Sequence, residues 1–215
     1  MCVTWSLFKS LNECVIMLIT GYTLNCIRYF ASANPTSVVS ASHELHIPPS
    51  SPPSFSPNVD RKTTATLSLP NNATATLTCD LGMTPYRGFI PRRPQVRALI
   101  ECEGGEVELY NFIMPTVYHS ITVSTRDDSS AGGKGRKTRV EKVYKFADGK
   151  MDGKGEEWWT TYRYQLEAFV DRVKGRTPQT WVEREDSIAN LEWIEKIYEK
   201  VSCRLGGACS RACTE

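Results

Sequence analysis

Three histidines, eight cysteines and no recognisable nucleophile motif bound the chemistry open to this 215-residue chain. His43, His46 and His119 stand singly in segments that read as β-strand, where a histidine more often packs than acts as a base. His43 and His46, three apart on a strand, point to opposite faces and cannot chelate one ion. Cys203, Cys209 and Cys213 are spaced by five and three residues with no histidine nearby, unlike the short pairs of structural zinc sites, so no metal is expected. Cys2, Cys14, Cys26, Cys79 and Cys102 are scattered through apolar segments and form no disulfide framework. No Gly-x-Ser-x-Gly, His-Glu-x-x-His or P-loop word occurs. Gly132, Gly133 and Gly135 do not lead from a strand into a helix, so they make no dinucleotide fingerprint.

Bulk properties narrow the partners. Hydrophobic residues make up 40% of the chain and charged residues 23%, ordinary globular values that argue against disorder or a coiled coil. Twenty-six basic and 24 acidic side chains leave a formal charge of +2, too balanced to direct the chain to nucleic acid or acidic lipid. Residues 127–137 contain the basic run Lys134-Gly135-Arg136-Lys137, but no aromatics interleave for stacking and Asp127, Asp128 and Glu141 flank the run, so the stretch reads as a solvated loop. The apolar run Val15-Ile16-Met17-Leu18-Ile19 is interrupted upstream by Lys9 and Glu13, lacks a small-residue cleavage site after it, and is far shorter than the ~20 residues of a membrane helix. It reads as a buried helix in a cytoplasmic protein with no membrane partner. Asn72-Ala73-Thr74 is a formal glycosylation sequon beside a hairpin turn and reads as unused.

The elements follow from periodicity. Leu24, Ile27 and Phe30 place a helix over 22–30, stopped by Asn34-Pro35. Residues 37–47 are β-branched enough for a strand, and the proline/serine stretch 48–54 then breaks any ladder. Thr64 to Leu69 and Ala73 to Leu81 alternate around Pro70-Asn71-Asn72, an antiparallel hairpin whose asparagines tolerate positive φ. A second hairpin reverses at Gly104-Gly105. Residues 116–125, with Val117, His119, Ile121 and Val123 on one face, and residues 139–146 complete about six mostly antiparallel strands. Trp159, Tyr162, Leu166, Phe169, Val170 and Val173 form a helical stripe that should cover the sheet before Gly175. Asp186-Ser187 caps a last helix with Ile188, Leu191, Ile194, Tyr198 and Val201 on its apolar face. The expected fold class is α+β, an open sheet with helices packed on one face.

Particular words in this order carry a resemblance. Gly21-Tyr22-Thr23-Leu24-Asn25-Cys26-Ile27-Arg28-Tyr29-Phe30, then Asn34-Pro35 and Val59-Asp60, and finally Tyr164-Gln165-Leu166-Glu167-Ala168-Phe169, Arg176-Thr177-Pro178 and the helix from Asp186 to Tyr198, resemble the second domain of the Gfo/Idh/MocA oxidoreductases. Tyr118-His119-Ser120-Ile121-Thr122-Val123 narrows the likeness to fungal NADP-dependent D-xylose dehydrogenases and dihydrodiol dehydrogenases. The resemblance covers residues 21–201. Residues 1–20 are set apart as an atypical segment of the kind a gene-model artefact produces, and 202–215 as a cysteine-bearing tail. The resemblance implies a substrate and dimerisation domain acting on a sugar or diol, homodimeric through its open sheet face. A Rossmann domain holding NADP would precede it in the family, so the chain alone is expected to be inactive. Tyr22 matches the aromatic position of the family pattern Asp-x-Gly-x-Tyr, although Leu18 and Thr20 stand where that pattern has Asp and Gly. The resemblance therefore makes Tyr22 the catalytic candidate, hydrogen-bonded to a substrate hydroxyl, with the capping of a buried helix as its other possible role. Arg28 on the same helix is the substrate-binding candidate, with an ion pair to an acid as its other possible role. A non-catalytic α+β oligomerisation module is the alternative.

Overall fold

The computed structural model describes residues 2–5, 15–47, 60–82, 86–87, 89–90, 95–127, 135–144 and 155–204. They form β1 (Cys2–Trp5), α1 (Val15–Ala31), β2 (Ser37–Leu45), β3 (Asp60–Ser68), β4 (Thr74–Asp80), β5 (Val96–Cys102), β6 (Gly105–Tyr110), β7 (Ser120–Asp127), β8 (Gly135–Glu141), α2 (Thr161–Val173) and α3 (Arg184–Arg204). The fold class is α+β, as the periodicity requires, with eight strands among the described residues rather than about six. The chain divides into two compact units, one made of 1–95 and 185–215 and the other of 96–184.

In the first unit the strand order is β2-β3-β4-β1, antiparallel except for β1, which runs parallel to β4. Alternation sets its two faces. Thr63, Ala65 and Leu67 of β3, Leu69 just after it, and Ala75, Leu77 and Cys79 of β4 are buried on one side. Thr64 meets Thr78 and Thr66 meets Thr76 on the other, each hydroxyl pair 3.5 Å apart. The β3–β4 turn has the expected chemistry: Asn71 and Asn72 both adopt positive φ, 60° and 57°, and Ala73 N–H closes on the Pro70 carbonyl at 3.3 Å. Helix α1 lays Thr20, Thr23, Leu24 and Ile27 on the buried face. Leu24 and Ile27, fully enclosed, contribute about 1.5–3 kcal/mol each by removal from water.

The second unit orders its strands β5-β6-β7-β8, all antiparallel. Register places Ala98, Ile100, Val107, Leu109, Ile121 and Val123 on one face. The other face carries the Arg97–Glu108 and Arg136–Glu106 ion pairs. Gly105 must be glycine because a Cβ there would run into the Ser124 carbonyl of β7.

Several sequence expectations shift. Residues 116–119 belong to a loop, and β7 starts at Ser120; the last strand is β8 at 135–141, four residues earlier than the alternation placed it. Arg136 and Lys137, read as solvated loop, are therefore strand residues, and Phe146 lies outside the described residues, as do the 48–54 stretch and the tail from 205. His46 lies beyond the end of β2. Helix α3 begins at Arg184, so Asp186 and Ser187 sit in its first turn rather than before it. Its buried residues are Trp193, Ile194, Ile197 and Val201, whereas Ile188 and Leu191 are exposed. Helix α2 starts on the Thr160 cap and ends at Gly175, φ 71°. Its stripe of Tyr162, Leu166, Phe169 and Val173 does not cover the sheet: all four are exposed, Tyr162 by 80%.

Candidate functional site

Tyr22 and Arg28 both lie on α1, but the helix does not bring them together. Six residues at about 100° each leave them about 120° apart in azimuth and about 9 Å apart along the axis. Tyr22 is 47% exposed, on the side away from Leu24 and Ile27. Arg28 is 7% exposed and points into the unit. Its Nε donates to Asn34 Oδ1 at 2.7 Å, Nη1 to the Asp186 carbonyl at 3.1 Å and to Asn190 Oδ1 at 3.4 Å, and Nη2 to Asp186 Oδ1 at 2.6 Å. All three guanidinium nitrogens are thus engaged by the end of α1 and the first turns of α3. Of these partners Asn34 is exposed and the Asp186 side chain is 45% accessible.

A second hydrogen bond reinforces that joint. Asn190 Nδ2 donates to the Gly21 carbonyl at 3.2 Å, next to Tyr22 in the chain. The absence of a side chain at Gly21 leaves the Asn190 amide and Ile194 Cδ1 each 3.8 Å from where a Cβ would stand. Helix α3 therefore holds α1 at two points, in its middle through Gly21 and near its C-terminus through Arg28. Sequence reasoning missed Asn190, which carries no pattern of its own. It read Asp186 only as a cap, because a charged partner 158 residues away leaves no local trace.

Beneath α1 lies a polar, non-reactive interior. Thr23 Oγ1 sits 3.3 Å and Thr20 Oγ1 3.7 Å from Cys79 Sγ. Burial pushes the Cys79 thiol up to about 11, against the weaker opposing pull of those hydroxyls, and the Cys26 thiol up to about 12. Thiols held neutral in this way are poor nucleophiles. Asp60 Oδ2 accepts from Thr63 Oγ1 at 2.7 Å and from Tyr198 Oη at 2.8 Å, tying the start of β3 to α3. Glu44, beside Lys62 and Arg61 on the surface, is held below the usual carboxylate range by their hydrogen bonds.

In the second unit His119 packs as expected of a non-catalytic histidine, although on a loop rather than a strand. It is 3% exposed, with Nδ1 2.9 Å from the Pro115 carbonyl and Nε2 accepting the Val143 N–H at 2.8 Å. The partners assign the proton to Nδ1: a carbonyl only accepts, and an amide only donates. Tyr144 packs edge-on at 4.6 Å. A shallow cleft of about 350 Å³ lies between α2 and the segment at 179–182, lined by Tyr164, Gln165, Ala168 and Trp181 among others. Arg172 stands 5.3 Å from the Trp181 ring.

Among the described residues no group of His, Cys, Asp and Glu could hold a metal ion, and no helix is long and apolar enough to cross a membrane. Nor do they fit a dinucleotide. A pyrophosphate needs a glycine-rich turn feeding a helix N-terminus. Helix α1 opens on Val15-Ile16-Met17-Leu18 with no glycine in the residues before it, and α2 and α3 open on Thr161 and Arg184 without a preceding strand-and-glycine turn.

The α+β fold with mostly antiparallel strands is shared with the solved structures of several oxidoreductases. Solved structures match it over nearly the whole chain. UDP-N-acetylglucosamine 3-dehydrogenase from Acidithiobacillus ferrooxidans aligns with TM-score 0.61 at 14% identity, covering 95% of this chain and 55% of its own. Levoglucosan dehydrogenase, solved with NADH and L-sorbose, aligns at 0.60 and 14% identity, covering 94% and 56%. Aldose-aldose oxidoreductase from Caulobacter crescentus aligns at 0.57 and 18% identity, covering 95% and 53%. The chain thus spans about half the length of the solved proteins it matches. No protein-family model and no curated protein sequence matches it.

Proposed function

We propose that this chain is the substrate-binding and subunit-contact half of an NADP-dependent sugar or diol dehydrogenase, with D-xylose or a cyclic dihydrodiol as its substrate class. The observation that carries the reading is the match of fold over about 95% of the chain to proteins whose names include sugar dehydrogenases and a sugar complex. Tyr22 is the residue that meets substrate: its phenol lies on the exposed side of α1 and can donate to or accept from a sugar hydroxyl. Arg28 acts at one remove, as a positioning residue that holds α1 through Asp186. The nicotinamide nucleotide supplies hydride chemistry when bound, and among the described residues no turn fits its pyrophosphate. The half-buried hydroxyl face of β3 and β4 is the proposed homodimer surface.

Saturation-transfer NMR with D-xylose and a cis-cyclohexanediol tests the reading on the chain itself. Millimolar polyol binding should be seen, weakened at least about fivefold in Tyr22→Phe with the amide spectrum otherwise unchanged. Equal binding by Tyr22→Phe, or none by either protein, would remove the substrate role.

A further inference from the structure

One edge of the second unit is basic and open. Among the described residues β8 ends the strand order and pairs only with β7, so alternate residues of this seven-residue strand turn their N–H and C=O groups outward. Arg136, Lys137, Thr138, Arg139 and Val140 are all exposed. From 136 to 142 the sequence holds Arg136, Lys137, Arg139 and Lys142 against one carboxylate, Glu141. Arg126 of β7 stands directly opposite Arg136, a like-charge pair that weakens the ladder locally. Arg136 is offset by Glu106 and Arg139 by Glu141. No ion pair reaches Arg126 or Lys137 among the described residues, so uncompensated positive charge sits beside unpaired backbone.

We propose that β8 accepts an acidic, extended peptide segment as an added strand. The main chain would supply the hydrogen bonds, and carboxylates on the incoming segment would meet Arg136 on one face and Lys137 and Arg139 on the other. An aliphatic side chain would cover Val140, which is 61% exposed. A second copy of the chain is a poor occupant, because β8 against β8 sets these cations against themselves. Single-stranded nucleic acid is disfavoured for another reason: no aromatic side chain lies between the cations to stack a base, whereas an open strand edge is matched by a peptide backbone.

The test uses the full chain and three probes: an acetylated peptide alternating glutamate with threonine and valine, its lysine counterpart, and oligouridylate of equal charge. The glutamate peptide should bind, should slow amide exchange at 135–141 about tenfold, and should weaken as salt is raised. The double charge reversal Lys137→Glu with Arg139→Glu should lose that peptide about tenfold and gain the lysine one, a swap that a merely unfolded variant would not show. Failure of the glutamate peptide to bind, protection outside β8, equal binding of the lysine peptide by the native chain, or displacement by oligouridylate at equal concentration would each overturn the proposal.

Discussion

Replacing Arg28 by alanine probes the joint between α1 and α3 directly. The guanidinium makes four hydrogen bonds, one of them in an ion pair, while only 7% exposed. Severing a fully buried ion pair costs about 3–5 kcal/mol. Asp186 is 45% accessible and regains water when the arginine is lost, and Asn34 is exposed, so the figure must be discounted. About 2–4 kcal/mol is then expected, roughly 4–16 °C in Tm for a chain of this size. Arg28→Lys keeps the charge but cannot reach Asn34, Asp186 and Asn190 at once, and should still cost about 1–2 kcal/mol. Asp186→Asn should cost less than Arg28→Ala, because the backbone carbonyl and Asn190 remain as acceptors. Urea unfolding gives the totals, and hydrogen exchange by mass spectrometry locates them: α1 and α3 peptides should lose protection while β5 to β8 keep theirs. An alanine variant within about 0.5 kcal/mol of the native chain, or a lysine variant equal to it, would show that the network orders the helices without stabilising them.

The buried thiols make stability fall with rising pH. Both are raised in the folded state, to about 12 at Cys26 and about 11 at Cys79, so above 9.0 the unfolded chain releases protons that the folded chain keeps. The loss is absent below pH 8 and reaches about 1.4 kcal/mol per thiol at pH 10, and comparing urea midpoints of the native chain with Cys26→Ala/Cys79→Ala should show a flatter slope in the variant. His119→Ala strands the Val143 N–H and the Pro115 carbonyl and should cost about 2–4 kcal/mol, read as faster exchange confined to the second unit's strands. At Asn72, φ 57°, glycine should stabilise by about 0.5–1 kcal/mol and valine should destabilise by at least about 1 kcal/mol, measured by urea midpoint.

Where the period was regular, the sequence was legible. The Thr64 to Leu81 hairpin, its paired asparagines and the Gly175 stop all followed from alternation and φ preference. Strand ends were lost where local pattern and tertiary context diverge: Val117 and His119 continue the alternation of β7, yet His119 is held off the strand by Pro115 and Val143. The stripe on α2 has good helical periodicity but no cover among the described residues, because periodicity reports amphipathicity and not what lies opposite it. On α3 the buried side was set by Asn190 meeting Gly21 and Asp186 meeting Arg28, long-range pairings with no sequence signature. Tyr22 was reached through resemblance; the structure adds its exposure and its separation in azimuth from Arg28.

Calorimetric titration of the 215-residue protein with NADPH tests most directly the claim that these residues wall a substrate site without gripping the nucleotide. Heats indistinguishable from dilution are predicted, in the same sample that binds polyol by NMR. A saturable isotherm in the micromolar range would contradict it.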